Sequence, residues 1–135
     1  MKLIPYITYN GNCEEALNFY KDSIGGDIIS IGRYEDSPMQ VSDEYKKKIL
    51  HARIQIGDYL LMASDAMPDM APLVGNNISL SIEWDDADKM ETAYTKLAEG
   101  GKTTMPLGNM FWGARFGMLT DKYGIHWMFN CEKKK

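Results

Sequence analysis

His51 and His126 are the only imidazoles in this 135-residue chain, so imidazole acid–base or metal chemistry can only run through them. Each falls on the polar side of an alternating strand pattern. In 49–56, Leu50, Ala52, Ile54 and Ile56 share one face, and His51, Arg53 and Gln55 share the other. In 125–130, Ile125, Trp127 and Phe129 lie opposite His126, Met128 and Asn130. Arg53 carries the fork that grips a carboxylate or phosphate at two points, or it pairs with an acid such as Glu83. Glu83 could serve as a general base where it is desolvated. Trp112 could stack on a planar ligand or simply pack in a core or dimer interface. A histidine on a polar strand face more often holds a structural hydrogen bond than catalyses. Ser79, Gln55 and Asn130 read as ordinary wet-face residues.

Several chemistries are absent. There is no glycine-rich phosphate loop, no Ser-His-Asp order and no paired-cysteine redox motif. Cys13 and Cys131 have no metal-ligand spacing, and two such thiols point to a reducing cytoplasm. The net charge of -4 argues against nucleic acid, since no basic stripe offsets the acids. Lys46, Lys47 and Lys48 read as a solvated edge or loop, and Lys133, Lys134 and Lys135 as a frayed tail. No apolar run approaches the roughly 20 residues of a membrane span, and the first nine residues alternate too much for a signal peptide. Ten methionines suggest a soft, adaptable interior.

The elements that must position these residues follow in order. Residues 3–9 read as a strand with an edge or irregular start at Pro5. Asn12 reads as a helix N-cap, with Glu15 completing a capping box. Ala16, Leu17, Tyr20 and Ile24 form the stripe of a helix that Gly25-Gly26 ends. Residues 27–34 return as a strand, 35–43 as an exposed loop, and 49–56 as the strand described above. Gly57-Asp58 turns it into a strand over 59–65. Residues 66–76, with Pro68, Pro72 and Gly75, are linker-like. Beyond them Ile78, Leu80, Ile82 and Trp84 alternate with Asn77, Ser79, Ser81 and Glu83. Asp85, Asp86 and Asp88 then cap a helix with the stripe Ala87, Met90, Ala93, Tyr94, Leu97 and Ala98. Gly100-Gly101 ends it, and three strand patterns follow. The last two, in 109–130, carry Trp112 on the first and join through a turn. In that turn the Asp121 carboxylate holds later N–H groups and Gly124 takes the left-handed position.

Strand, helix, double glycine, three strands: this order occurs twice, and the repeat is the main architectural signal. It predicts an α+β fold of two tandem βαβββ modules forming a curved mixed sheet around a cleft, with helices outside. One domain results, with module 1 near 1–66, a linker over 67–76 and module 2 near 77–132.

The chain resembles the vicinal oxygen chelate superfamily of glyoxalase I, bleomycin-resistance proteins and extradiol dioxygenases, and within it the PhnB-like branch. The resemblance rests on Pro5-Tyr6-Ile7, Gly11-Asn12, Ala16-Leu17-Asn18-Phe19-Tyr20, Gly25-Gly26 and His51-Ala52-Arg53-Ile54. It continues through Leu61-Met62-Ala63-Ser64-Asp65, Trp112-Gly113 and Asp121-Lys122-Tyr123-Gly124 with Trp127. Lys122 stands where the family usually has proline. The resemblance implies paired βαβββ modules and a homodimer. It also places a divalent metal, in the superfamily's enzymes, on positions that fall here on Pro5, Met62, Asn77 and Met128. Proline has no ligand atom, thioethers suit soft ions, and a neutral amide is a weak ligand. No metal or cofactor is therefore expected.

The reading that follows is a cytoplasmic, metal-independent small-molecule binder with its ligand in the inter-module cleft and no assigned catalytic residue. The candidate contacts are His51, Arg53, Met62, Asn77, Glu83, Trp112, His126 and Met128. An acidic balance favours a cationic or planar aromatic ligand. The alternative is a lyase, isomerase or dioxygenase whose metal is held unconventionally by His51, Glu83 and His126.

Overall fold

The computed structural model describes residues 1–132; the terminal lysines Lys133, Lys134 and Lys135, read above as a tail, lie outside them. The chain divides into two compact units, Met1–Leu73 and Val74–Lys135. Each contains one helix and one four-stranded mixed sheet, as the repeat requires.

In the first unit the order is β1 (Tyr6–Tyr9), α1 (Cys13–Ile24), β2 (Asp27–Arg33), β3 (Ile49–Ile56) and β4 (Tyr59–Asp65). The sheet runs β1-β4-β3-β2, with β1 parallel to β4 and the other pairs antiparallel. Ala52, Ile54, Leu61 and Ala63 point to one side and are buried with Ala16, Leu17 and Tyr20 of α1. β2 stops one residue short of the strand read from sequence. Tyr34 opens the single-turn 3-10 helix Tyr34–Asp36, which leads into the segment read as an exposed loop, and a second such turn spans Asp43–Tyr45 at its far end. β1 begins only after Pro5, whose ring removes a donor but whose carbonyl still accepts from the Met62 N–H at 3.0 Å.

The capping box read at Asn12 does not form: its side chain makes no cap bond. The Asp65 carboxylate, arriving from the end of β4, takes the Cys13 N–H at 2.9 Å instead. Asp65 also takes the Ile49 N–H at 2.8 Å, so one buried acid ties the start of α1 to the start of β3. Burial and the nearby Asp65 charge push the Cys13 thiol far up, which leaves it an inert packing group.

The second unit runs β5 (Ser79–Glu83), α2 (Ala87–Leu97), β6 (Lys102–Asn109), β7 (Ala114–Thr120) and β8 (His126–Glu132), with sheet order β5-β8-β7-β6. Here the cap read from sequence is present: the Asp86 side chain accepts from the Asp88 and Lys89 N–H groups. Met90, Ala93, Tyr94 and Leu97 are buried against Leu119, Trp127 and Phe129, whereas Ala87 at the edge of the stripe is exposed. β5 is shorter than its alternation suggested. Asn77 and Ile78 precede it, and Ile78 is 75% exposed. The turn before β8 forms as read. Asp121 accepts from the Tyr123 and Ile125 N–H groups and, at 2.9 Å, from the Trp127 indole, while Gly124 has φ 88°.

Candidate functional site

Each sheet has a face away from its helix. His51, Arg53 and Met62 lie on that of the first and Glu83, His126 and Met128 on that of the second, whereas Asn77 and Trp112 lie off the strands. On the first sheet, Tyr6, Met62 and Arg53 are successive partners across β1, β4 and β3. His51 is two positions from Arg53 and so shares its face. Arg53 Nε donates to His51 Nε2 at 3.3 Å, and His51 Nδ1 lies 3.1 Å from Tyr6 Oη. The Tyr6 and His51 rings are 5.7 Å apart. Tyr6 is a member that sequence reasoning missed. Its signal is the parallel register of β1 on β4, a long-range pairing that no local pattern encodes.

On the second sheet, Ser81, Met128 and Met118 form a row across β5, β8 and β7, with Met105 next on β6. A second row is Glu83, Asn130, Phe116 and Gly108. Asn130 donates its amide to Glu83 Oε2 at 2.8 Å, while Asn130 Oδ1 is buried with no hydrogen-bond partner. That orphaned acceptor makes Asn130 more than the wet-face residue the sequence suggested. Trp112 is not on a strand. It lies in the turn between β6 and β7, is 55% exposed, and packs edge-on against Phe111 and Phe116 with centroids 5.1 and 6.0 Å away. Asn77 is exposed ahead of β5.

His126 has both ring nitrogens engaged, Nε2 with the Gly75 carbonyl at 3.0 Å and Nδ1 with Thr120 Oγ1 at 2.9 Å. Its row pairs it with Ser79, four strand positions from the row of Glu83. At ~3.3 Å per residue that is roughly 13 Å of backbone. Glu83 and His126 are therefore held apart within one sheet and occupied by different partners.

The metal of the superfamily's enzymes can be tested against these donors. Among the described residues no three His, Cys, Asp or Glu side chains gather in a way that could hold an ion. The carried-over positions offer a proline, two thioethers and an amide. This donor set does not fit a divalent catalytic metal. Two shallow grooves elsewhere, about 510 and 620 Å³, open at the starts of α1 and α2. Their cations are already engaged: Lys48 donates to the Gly11 carbonyl, and Arg115 pairs with Glu91.

A family model described as 3-demethylubiquinone-9 3-methyltransferase matches residues 1–129. Among solved structures, protein PA1353 from Pseudomonas aeruginosa is 41% identical, covers 99% of both chains and superposes with a TM-score of 0.89. A putative 3-demethylubiquinone-9 3-methyltransferase, PhnB protein, from Bacillus cereus is 28% identical over 97% of this chain and 99% of its own, with a TM-score of 0.78. A glyoxalase/bleomycin resistance protein/dioxygenase from Nocardioides, 18% identical over 99% and 85% of the two chains, shares the fold alone at a TM-score of 0.58.

Proposed function

The chain belongs to the family described as 3-demethylubiquinone-9 3-methyltransferase, a PhnB-like branch of the vicinal oxygen chelate superfamily, and from that premise we propose that it binds a small planar molecule without a metal ion. The observation that carries this reading is Asn130 Oδ1, a buried acceptor without a partner on the helix-free face of the second sheet. Leaving such an atom unmatched costs on the order of 1–3 kcal/mol, which a ligand N–H would recover. Glu83 beside it adds an exposed carboxylate that no cation among the described residues neutralises. Phe116, in register with Asn130, and Trp112 next to it supply aromatic surface, and Met118 and Met128 a soft apolar floor. These groups suit a flat aromatic ligand bearing an N–H or a cationic nitrogen.

Metal independence is supported by the unsuitable donor set rather than by any state of the site. The methyl transfer in the family's description forms no part of the reading, because no glycine-rich nucleotide loop follows a strand. A homodimer and a cytoplasmic setting complete the proposal, supported by the superfamily resemblance and by two cysteines that form no disulfide.

The test is a tryptophan-fluorescence and thermal-shift titration with 9-aminoacridine, with and without EDTA. Saturable quenching and a raised Tm, indifferent to EDTA and weakened about tenfold by Trp112→Ala, support the reading. Absence of binding by this and neutral planar compounds refutes it. Binding lost to EDTA and restored by a divalent ion refutes its metal independence.

A further inference from the structure

We infer that the helix-free face of the first sheet is a receptor for the carboxylate of a small organic acid, gripped by Arg53 with Tyr6 alongside. This goes beyond the preceding reading: it concerns the first unit alone and stands whether or not the second sheet takes a ligand.

The proton on His51 fixes which way each hydrogen bond of this cluster runs. Arg53 Nε–H can only donate, so the His51 Nε2 it meets at 3.3 Å carries the lone pair. The neutral ring then bears its hydrogen on Nδ1 and donates it to Tyr6 Oη at 3.1 Å. Tyr6 acts as acceptor inside the chain, which leaves its own O–H to point elsewhere. Arg53 Nη1 and Nη2 are likewise unclaimed, since no carboxylate among the described residues pairs with this guanidinium. Asp27, opposite the next same-face residue Gln55, is not bonded to it. The relay therefore presents only donors outward: the fork of Arg53 and the phenol of Tyr6.

A surface of donors with one fixed positive charge selects an acceptor-only group of one negative charge. A carboxylate meets that description and matches the guanidinium fork with two parallel bonds. A phosphate dianion calls for further positive charge, and Arg53 is the one cation of this face among the described residues; Arg33 on β2 turns instead to Glu14 of α1. His51 acts as a positioning residue. By holding Nε it fixes the plane of the guanidinium and lowers the entropy lost when a ligand arrives. Met62, the register partner of both Tyr6 and Arg53, and the half-exposed Tyr6 ring give the body of the acid an apolar bed.

The experiment is an NMR titration of the full ¹⁵N-labelled chain with benzoate, its neutral isostere benzamide, and inorganic phosphate. The expected result is saturable shifts of the Arg53 Nε–H and the His51 ring with benzoate, at least tenfold tighter than with benzamide or phosphate. Arg53→Gln should weaken benzoate about tenfold or more with the backbone spectrum unchanged, and Tyr6→Phe by a few-fold. Equal affinity for benzamide, tighter binding of phosphate, or benzoate binding untouched by Arg53→Gln overturns the assignment. If Arg53→Gln does not fold, the benzoate-to-benzamide ratio on the unaltered protein decides alone.

Discussion

Arg53 Nε and His51 Nε2 are joined side by side on β3 by a hydrogen bond of 3.3 Å, and this bond sets the tautomer of the ring. His126 is set the other way. The Gly75 carbonyl can only accept, so the hydrogen sits on Nε2, and Nδ1 accepts from Thr120 Oγ1. Long-range ¹H–¹⁵N correlation spectra, recorded where both rings are neutral, should show opposite tautomers: Nδ1–H for His51 and Nε2–H for His126. In Arg53→Gln the His51 preference should relax toward a mixture while His126 keeps its own. Identical tautomers at the two sites would contradict one of the two networks, and which tautomer they shared would say which.

Asp65 and Asp86 each accept two backbone N–H bonds at a helix start or strand start, but they differ in burial. Asp65 is 2% exposed, so Asp65→Ala strands the Cys13 and Ile49 donors away from water. The expected loss is about 3 kcal/mol or more. Asp65→Asn rescues only partly, because its NH₂ would face one of the two donors. Asp86 is exposed and water can replace it, so Asp86→Ala should cost about 1 kcal/mol. Urea denaturation of the three variants checks the order, and equal losses at Asp65 and Asp86 would remove burial as the deciding factor.

How much of this was legible follows from the range of each interaction. The strands over 49–56 and 59–65, the Asp86 cap and the Asp121 turn are written in neighbouring residues, and they form as their patterns require. Asn12 failed as a cap because a distant carboxylate outcompeted its own side chain for the Cys13 N–H. A local hint existed: Asp65 continues the apolar phase of Leu61 and Ala63, an acid on a face meant for burial. His51, Arg53 and Met62 share one face as strand alternation requires, but Tyr6 joins them only through strand pairing across the sheet. Trp112 sits in the turn because β6 ends at Asn109 and the Met110 carbonyl accepts from the Gly113 N–H at 3.1 Å, a tight turn that Gly113 completes with φ 93°. The orphaned Asn130 Oδ1 is a property of packing that no spacing can announce.

The double glycines also read only in part. Both pairs follow a helix, but the second glycine of each is demanded by the neighbouring strand. A Cβ on Gly26 would sit 2.6 Å from the Gln55 carbonyl oxygen, and one on Gly101 would strike the Thr120 carbonyl oxygen and lie 2.9 Å from the Asp121 carbonyl carbon. Backbone cannot yield as a side-chain tip does, so Gly26→Ala and Gly101→Ala should each cost about 2 kcal/mol or more. Gly75 is the control. Its φ lies outside the left-handed region and its nearest neighbour would be 3.6 Å away, so Gly75→Ala should change stability by less than about 1 kcal/mol. Gly26 also has φ 126°, so its loss combines backbone strain with the close approach. Thermal melts of Gly101→Ala against Gly75→Ala separate close approach from a general intolerance of substitution at glycine.

Glu14 and Arg33 give the first unit a pH-dependent contribution whose sign can be fixed. Arg33 Nη1 and Nη2 reach Glu14 Oε1 and Oε2 at 3.0 and 2.8 Å, and this hydrogen-bonded pair holds the Glu14 carboxyl below its usual value of 4.5 against the opposing effect of burial. A depressed folded value means the unfolded chain takes up the proton first as pH falls. The stabilisation is therefore complete above about pH 4.5 and is lost as pH drops through the lower, folded value. The Glu14 side chain is 44% exposed, so solvent screening limits the effect to about 0.5 kcal/mol. Glu14→Gln should lower the urea midpoint slightly at pH 7 and run progressively closer to the unaltered protein in increasingly acid buffer. A gap that instead widened as pH fell would mean that the pair destabilises the fold, and high salt at pH 7 should shrink the gap if it is electrostatic.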